Sequence, residues 1–142
     1  MSYLTTEQKN KLLAMRKALD NFVVKIVDST TEINENVGII RKWVPGNYVI
    51  GDVRLYENIP YKCVQAHDSA LNPDWNPNVQ SLWMQYHGTS IETARPWIAP
   101  VGAHDMYKFG EYMIWTDGKV YCCKQDTVYS PDAYSQAWEV IE

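Results

Sequence analysis

Residues 43–83 read WVPGNYVIGDVRLYENIPYKCVQAHDSALNPDWNPNVQSLW, and residues 97–138 read WIAPVGAHDMYKFGEYMIWTDGKVYCCKQDTVYSPDAYSQAW. The two segments carry similar residues in the same order, and their outer tryptophans are 40 and 41 positions apart. The aligned pairs are Trp43 with Trp97, Tyr48 with Tyr107, Gly51-Asp52 with Gly110-Glu111, Tyr56 with Trp115, Tyr61 with Tyr121, Cys63 with Cys123, Pro73 with Pro131 and Trp83 with Trp138. An internal repeat of this kind predicts two copies of one structural unit.

Each copy contains two short runs of alternating apolar and polar residues with a turn between them. The runs are 52–56 and 61–64 in the first copy, and 112–115 and 119–123 in the second. Such alternation predicts an antiparallel hairpin. The second hairpin has an Asp-Gly turn at Asp117-Gly118, whereas residues 57–60 form a less typical turn in the first.

The tryptophans indicate how units this small are stabilised. All six tryptophans lie beyond residue 42. A unit of about 45 residues has little room for an ordinary core, so large aromatic side chains must supply most of its buried area. We expect the four that frame the copies, Trp43, Trp83, Trp97 and Trp138, to serve mainly as core.

A helix is predicted over residues 5–27, because apolar residues recur there at alternating steps of three and four. Thr5 and Gln8 fit a capping box at its start. Such a stripe needs an apolar surface to pack against. One alternative is that it packs on the two modules of its own chain. The other is that it drives self-association into a trimer or dimer, or docking on a larger assembly. We favour oligomerisation, with a trimer first. The residues assigned to this role are Leu12, Met15, Leu19, Phe22, Val23 and Ile26.

The predicted fold class is therefore α+β, with an N-terminal α-helix followed by two small antiparallel β modules. The predicted divisions are a helical segment over residues 1–40, a first module over 41–87 and a second over 95–142.

Composition excludes several classes of partner. The formal net charge is −4 and no Lys/Arg cluster is present, which argues against nucleic acid and against an anionic membrane surface. The N-terminal residues 1–21 lack the uncharged apolar core of a secretory signal, and no stretch approaches the length of a membrane span, so we expect a soluble chain. The three cysteines have no disulfide-framework spacing and are expected to be reduced.

Catalysis and metal chemistry find no sequence support. Glycoside hydrolysis needs two carboxylates across the scissile bond, yet the acidic residues are scattered over turns and helix faces. None of the common nucleophile, zinc or phosphate-binding motifs occurs, and Cys63 and His67 do not have zinc-site spacing with Cys122-Cys123. The chain is expected to have no catalytic residues, no metal and no cofactor.

The order Trp43, Tyr48, Gly51-Asp52, Tyr61-Lys62-Cys63, Pro73, Trp83 resembles the chitin-binding modules of carbohydrate-binding-module families five and twelve. The second copy is similar to versions found in tail, baseplate and fibre proteins of phages and phage-like particles. In that group a helix with a start like Thr6-Glu7-Gln8 commonly precedes two such modules. The resemblance implies a non-enzymatic structural or adhesive tail protein, assembled in the bacterial cytoplasm, with tail or baseplate proteins and host cell-surface polysaccharide as its partners.

Exposed aromatic rings next to polar side chains suit the apolar faces and hydroxyls of sugars. The candidate carbohydrate-binding residues are Trp75, Tyr129 and Tyr134, flanked by Trp115 and Tyr56. Alternatively, Trp75 and Tyr129 cap the small cores. Secreted family members carry consecutive aromatics where this chain has residues 65–67 and 124–126. A packing protein without sugar binding, or a tail assembly factor, is therefore also consistent with the sequence.

Overall fold

The computed structural model describes residues 3–142. Two helices come first, α1 (Thr6–Lys25) and α2 (Thr30–Glu35), and this part of the chain continues with nine short strands in three sheets. The strands are β1 (Asn47–Tyr48), β2 (Val53–Tyr56), β3 (Ile59–Cys63), β4 (His67–Asp68), β5 (Trp83–Gln85), β6 (Arg95–Pro96), β7 (Tyr112–Ile114), β8 (Val120–Cys123) and β9 (Trp138–Val140). The predicted α+β class, a helix followed by small antiparallel sheets, is confirmed.

Helix α1 begins with the predicted capping box. Thr5 Oγ1 accepts a hydrogen bond from the Gln8 backbone N–H at 3.1 Å, and Gln8 Oε1 accepts one from the Thr5 N–H at 2.8 Å. Both bonds satisfy backbone donors that the first turn of a helix leaves free. Within residues 3–142, none of the helices combines the length and the apolar character that crossing a bilayer requires.

The last turn of α1 packs on the first module, which corrects part of the predicted oligomerisation stripe. Val23 and Ile26 were assigned to contacts between copies, but both side chains are buried within the chain itself. They belong to a cluster whose other buried members are Ile33, Ile40, Val53 and Tyr86. The Tyr86 hydroxyl also donates to the Val27 carbonyl at 2.6 Å. One end of the helix is therefore part of the molecule's own core.

An ion-pair network fixes the same helix against the segment that precedes the first module. Arg16 Nε donates to Asp20 Oδ1 at 2.9 Å, and Arg41 Nη2 donates to Asp20 Oδ2 at 3.0 Å. Arg16 Nη2 reaches the Ile39 carbonyl at 2.7 Å. The hydrogen bond from Arg41, reinforced by Arg16, lowers the pKa of the Asp20 carboxyl. Asp20 therefore holds two arginines on one side of the helix.

The first module has two sheets. Strands β2, β3 and β5 form an antiparallel sheet in that order, and β1 pairs with β4 in a second. The hairpin between β2 and β3 turns at Glu57-Asn58, where both residues have positive φ, 51° and 66°. Two central residues of this kind define a type I′ turn, whose twist matches that of the strands.

The second module has one four-stranded sheet in the order β6, β7, β8, β9. Strand β6 runs parallel to β7, and the other neighbours are antiparallel. The Asp-Gly turn predicted between β7 and β8 is present: Gly118 has φ 80°, and Asp117 Oδ1 accepts the Lys119 N–H at 2.9 Å.

Residues aligned by the sequence repeat make the same backbone hydrogen bonds. The Gly51 N–H donates to the Cys63 carbonyl at 2.9 Å, and the Gly110 N–H donates to the Cys123 carbonyl at 2.8 Å. Both glycines have positive φ, 95° and 86°, a conformation that disfavours any residue with a Cβ. The repeated Gly-acid pair thus marks the same strand entry in each copy.

Aromatic side chains dominate both module cores, as the composition predicted. The first core contains Tyr48, Tyr61, Cys63 and Trp83, and the second contains Tyr107, Met113, Cys123, Ala137 and Trp138. Of the four framing tryptophans, Trp83 and Trp138 are buried, whereas Trp43 and Trp97 are half-buried at the edge of each core.

A buried polar junction joins the two modules. His87 Nδ1 lies 2.7 Å from Glu111 Oε1, and the imidazole stacks on the Tyr107 ring with centroids 3.7 Å apart. Gly88 follows directly, and a Cβ there would lie 2.4 Å from the Thr93 carbonyl oxygen. The segment between the modules is consequently packed tightly rather than extended.

Candidate functional site

Trp75 lies on the loop between β4 and β5 of the first module. Its side chain is 43% exposed and belongs to none of the three apolar clusters within residues 3–142. The Trp75 N–H donates to the Asn72 carbonyl at 2.9 Å, which closes a turn over residues 72–75. The loop therefore presents a large aromatic surface to solvent.

Hydrogen bonds at both ends hold this loop. Ser69 and Gly46 bond reciprocally: the Ser69 N–H donates to the Gly46 carbonyl at 2.8 Å, and the Gly46 N–H donates to Ser69 Oγ at 3.0 Å. At the other end, Gln80 Nε2 donates to the Ala99 carbonyl of the second module at 2.8 Å. A ring on an anchored loop loses little conformational freedom on binding.

Tyr129 occupies a different kind of loop in the second module. Its side chain is 59% exposed, while its carbonyl accepts the Trp138 Nε1–H at 3.0 Å and its N–H donates to Thr127 Oγ1 at 2.9 Å. The aligned indole Nε1 of Trp83 is buried without a hydrogen-bond partner in the described part of the chain. The two copies thus support their exposed aromatic residues by different means.

The other three predicted residues are half-buried packing residues. Tyr56 contacts Trp43 edge to face at 5.6 Å and 89°, and Trp115 contacts Trp97 in the same way at 5.7 Å and 81°. The Tyr134 ring packs on the second core, and its hydroxyl donates to Gln125 Oε1 at 3.3 Å. Trp75 and Tyr129 are therefore the two candidates with the most exposed rings.

Polar residues lie close to these two rings in the sequence. Asp74 next to Trp75 is exposed, and Asn76 Oδ1 already accepts the Asn78 N–H at 2.9 Å. Asp132 is exposed near Tyr129 in sequence. Each exposed ring thus has an exposed carboxylate within three residues in the sequence, and a carboxylate is able to accept hydrogen bonds from hydroxyl groups.

The sequence did not predict a shallow groove beside the first hairpin turn. It has a volume of about 230 Å³ and is lined by Lys42, Trp43, Leu55, Tyr56, Glu57 and Asn58. Lys42 is 14 to 16 positions from Tyr56, Glu57 and Asn58, and the pairing of residue 42 with residue 55 brings them together. No local sequence signal marks that pairing.

Two further clefts lie where elements meet. One of about 190 Å³ separates α1 from the first module and contains Arg16, Arg41 and Arg54. The other, of about 170 Å³, lies near His87 and His104 at the junction. All three clefts are smaller than the roughly 300–1,000 Å³ typical of pockets that enclose a small-molecule ligand.

The surroundings of Cys63 and Cys123, the two cysteines aligned by the repeat, indicate a structural role. The Cys63 thiol donates to the Gln65 carbonyl at 3.2 Å, and the Cys123 thiol donates to the Gln125 carbonyl at 3.1 Å. Burial raises the pKa of both thiols, that of Cys123 to about 11. Protonated, buried thiols are poor nucleophiles and poor metal ligands.

Metal-binding side chains do not converge. Among residues 3–142 no group of three or more His, Cys, Asp or Glu side chains is arranged to hold a metal ion. Cys63 Sγ and His67 Nδ1 lie 3.9 Å apart in the first module, whereas Cys122 and Cys123 belong to the second.

The structure thus defines an α+β chain with two aromatic-cored β modules and an exposed aromatic side chain on one loop of each. No family model and no curated protein matches it. Among solved structures, a family GH18 chitinase from Chromobacterium violaceum is similar, with 31% sequence identity over 42% of this chain and a TM-score of 0.31. The match spans 16% of that chitinase chain.

Proposed function

We propose that this chain is a non-enzymatic structural and adhesive component of a phage tail or phage-like contractile particle, and that its two modules bind host cell-surface glycan. The observation that carries the proposal is the exposure of Trp75 and Tyr129 on anchored loops of the two modules. The particle assignment rests on the sequence resemblance of the second copy and the preceding helix to phage tail proteins.

The physical basis of binding is stacking. Pyranose rings have apolar faces of C–H groups that pack on a rigid aromatic ring, while neighbouring polar groups bind the hydroxyls. Shallow sites of this kind are weak one at a time. Two of them on one chain, facing a repetitive polymer, raise the effective concentration of the second contact.

A sedimentation assay with insoluble chitin and with bacterial cell wall tests the proposal. We expect the wild-type chain to sediment, and Trp75→Ala and Tyr129→Ala each to weaken binding about tenfold, the equivalent of roughly 1.4 kcal/mol. The matched control combines Leu71→Ala with Val101→Ala, because both side chains are exposed aliphatic residues of the same two modules and offer no ring for stacking. No sedimentation, or equal loss in the control, contradicts glycan binding through these rings.

A second candidate function is packing between particle proteins, with no sugar binding. It is supported by residues 65–67 and 124–126, which include no Phe, Tyr or Trp at positions where secreted modules of the resembling families carry aromatics. Imaging of the assembled particle distinguishes packing from glycan binding, because packing buries Trp75 and Tyr129 in protein interfaces. A third candidate, a tail assembly factor, predicts that mass spectrometry of purified particles does not find the chain.

A further inference from the structure

Helix α1 carries an apolar stripe that the rest of the chain leaves exposed. The stripe residues recur at steps of three, four and three, so they share one face of the helix. Their side chains are between 36% and 61% exposed: Leu12 50%, Met15 61%, Leu19 36% and Phe22 40%. We call these four residues the α1 stripe.

The α1 stripe is too short to form a coiled-coil seam between identical helices. The trimer predicted from the sequence counted Val23 and Ile26 as part of the seam, but the first module buries both. The four remaining residues cover two heptads, whereas a self-sufficient coiled coil generally needs about three or four. Four anchors at this spacing match instead the way an amphipathic helix lies against a complementary apolar surface.

The charges beside the α1 stripe have one sign. With Leu12 and Leu19 at heptad position a, the flanking e positions hold Lys9, Arg16 and Val23, and the g positions hold Lys11, Ala18 and Lys25. Four of these six residues are basic and none is acidic. A second copy of α1 would therefore place like charges against each other along both flanks.

The two acidic residues of α1 already have partners within the chain. Glu7 Oε1 lies 3.5 Å from Lys11 Nζ, and Asp20 binds both Arg16 and Arg41. Helix α1 holds five of the chain's 13 basic residues and two of its 17 acidic residues. The helix therefore has a charge of +3, while the remainder of the chain carries eight basic and 15 acidic residues, a charge of −7.

We infer that the α1 stripe docks on an acidic amphipathic helix supplied by a different protein. Apolar side chains of that helix cover Leu12, Met15, Leu19 and Phe22, and its Glu or Asp side chains pair with Lys9, Lys11 and Lys25. This contact is independent of Trp75 and Tyr129, so it holds whether or not the modules bind glycan.

A pair of synthetic helices provides the test. The probe is a peptide of about 21 residues with leucine at a and d and glutamate at e and g, and the control peptide has lysine at e and g. We expect the full chain to bind the glutamate peptide and not the lysine peptide. Raising NaCl from about 50 to about 500 mM is expected to weaken this binding about tenfold, because salt screens attraction between opposite charges.

Two sets of variants locate the contact. Leu12→Ser combined with Met15→Ser is expected to weaken binding of the glutamate peptide about tenfold or more. The control combines Leu13→Ser with Val24→Ser, two residues that are each 69% exposed but lie off the stripe, and it is expected to bind normally. Lys9→Glu combined with Lys11→Glu leaves two acidic and two basic residues beside the stripe, and it is expected to remove the preference for the glutamate peptide.

Three results would overturn the inference. One is a dimer or trimer of the full chain in light scattering that salt strengthens and that Leu12→Ser with Met15→Ser abolishes, which would make a second copy the occupant. Another is equal loss of binding in the stripe variant and its control. The third is binding of neither peptide. Circular dichroism of each variant checks that α1 remains folded.

Discussion

His87 connects the two modules through a buried hydrogen bond with Glu111 and a ring stack on Tyr107. Among residues 3–142, removal of its side chain leaves the Glu111 carboxylate with the Lys108 backbone N–H, at 2.9 Å, as its one donor. It also removes one of the rings against which Tyr107 packs. A buried carboxylate that loses its partner costs considerably more than an exposed one.

We therefore expect His87→Ala to reduce the free energy of unfolding by about 2–4 kcal/mol, measured by chemical denaturation. His104→Ala is the matched control, because His104 is exposed near the same junction. It is expected to change stability by about 0.5 kcal/mol or less. Equal changes in the free energy of unfolding for the two variants would show that the buried His87 contributes no more to stability than the exposed His104.

Sequence reasoning identified Glu111 and Asp52 as equivalent repeat residues, and their side chains make the same local hydrogen bond in the structure. Asp52 Oδ2 accepts the Val49 N–H at 2.9 Å, and Glu111 Oε1 accepts the Lys108 N–H at the same distance. The pairing of Glu111 with His87 could not be predicted. This pairing requires the segment after β5 to fold back toward the second module. No periodic pattern in the sequence predicts that course of the chain.

Among the secondary-structure elements, the first hairpin turn carries the clearest local strain. Glu57 has φ 51°, a left-handed conformation that costs most residues roughly 1 kcal/mol, whereas Asn tolerates it well. Glu57→Asn is therefore expected to raise the free energy of unfolding by about 0.5–1 kcal/mol in thermal or chemical denaturation.

The control for this variant is Glu92→Asn, an exposed glutamate whose φ is not positive. It is expected to leave stability unchanged. Destabilisation by Glu57→Asn would mean that the Glu57 side chain, which lines the groove beside Trp43, contributes more than the backbone strain costs.

The elements themselves were largely readable from the sequence. The capping box at Thr5, the four hairpin strands and the Asp-Gly turn follow from short-range patterns, and the structure has them within one or two residues. The sequence did not show which apolar residues of the helix stripe are buried within the chain. Apolar spacing along α1 is the same for Leu19 and for Val23 or Ile26, and only the position of the first module decides which of them is buried.

At the scale of the whole molecule, the modules and the end of α1 form one connected structure. Asn34 of α2 donates to the His87 carbonyl at 2.8 Å, and Arg95 Nη1 donates to the Tyr86 carbonyl at 2.6 Å. Burial lowers the pKa of the Arg95 guanidinium. The segment between residues 87 and 95, which the sequence indicated as a boundary, thus contains structural contacts.

Because of these contacts we expect the chain to unfold in a single cooperative transition. Calorimetry is expected to give a calorimetric enthalpy equal to the van't Hoff enthalpy. Two separate transitions, one for each module, would show instead that the junction contributes little to stability.

The exposure of Trp75 was one of two alternatives left open by the sequence, since a tryptophan on a polar loop either caps a small core or faces solvent. Only the three-dimensional course of the loop between Ser69 and Gln80 decides between them. Ligand binding through this ring is the central claim of the proposed function.

The most direct test is nuclear magnetic resonance of the tryptophan side chains during a titration with a soluble fragment of the bound polysaccharide. The chain has six indole N–H groups, and that of Trp75 is the one on the proposed surface. We expect the Trp75 signal to shift progressively while the signal of the buried Trp83 stays in place. A fragment that binds without moving the Trp75 signal, or that moves the Trp83 signal instead, would contradict glycan recognition by this ring.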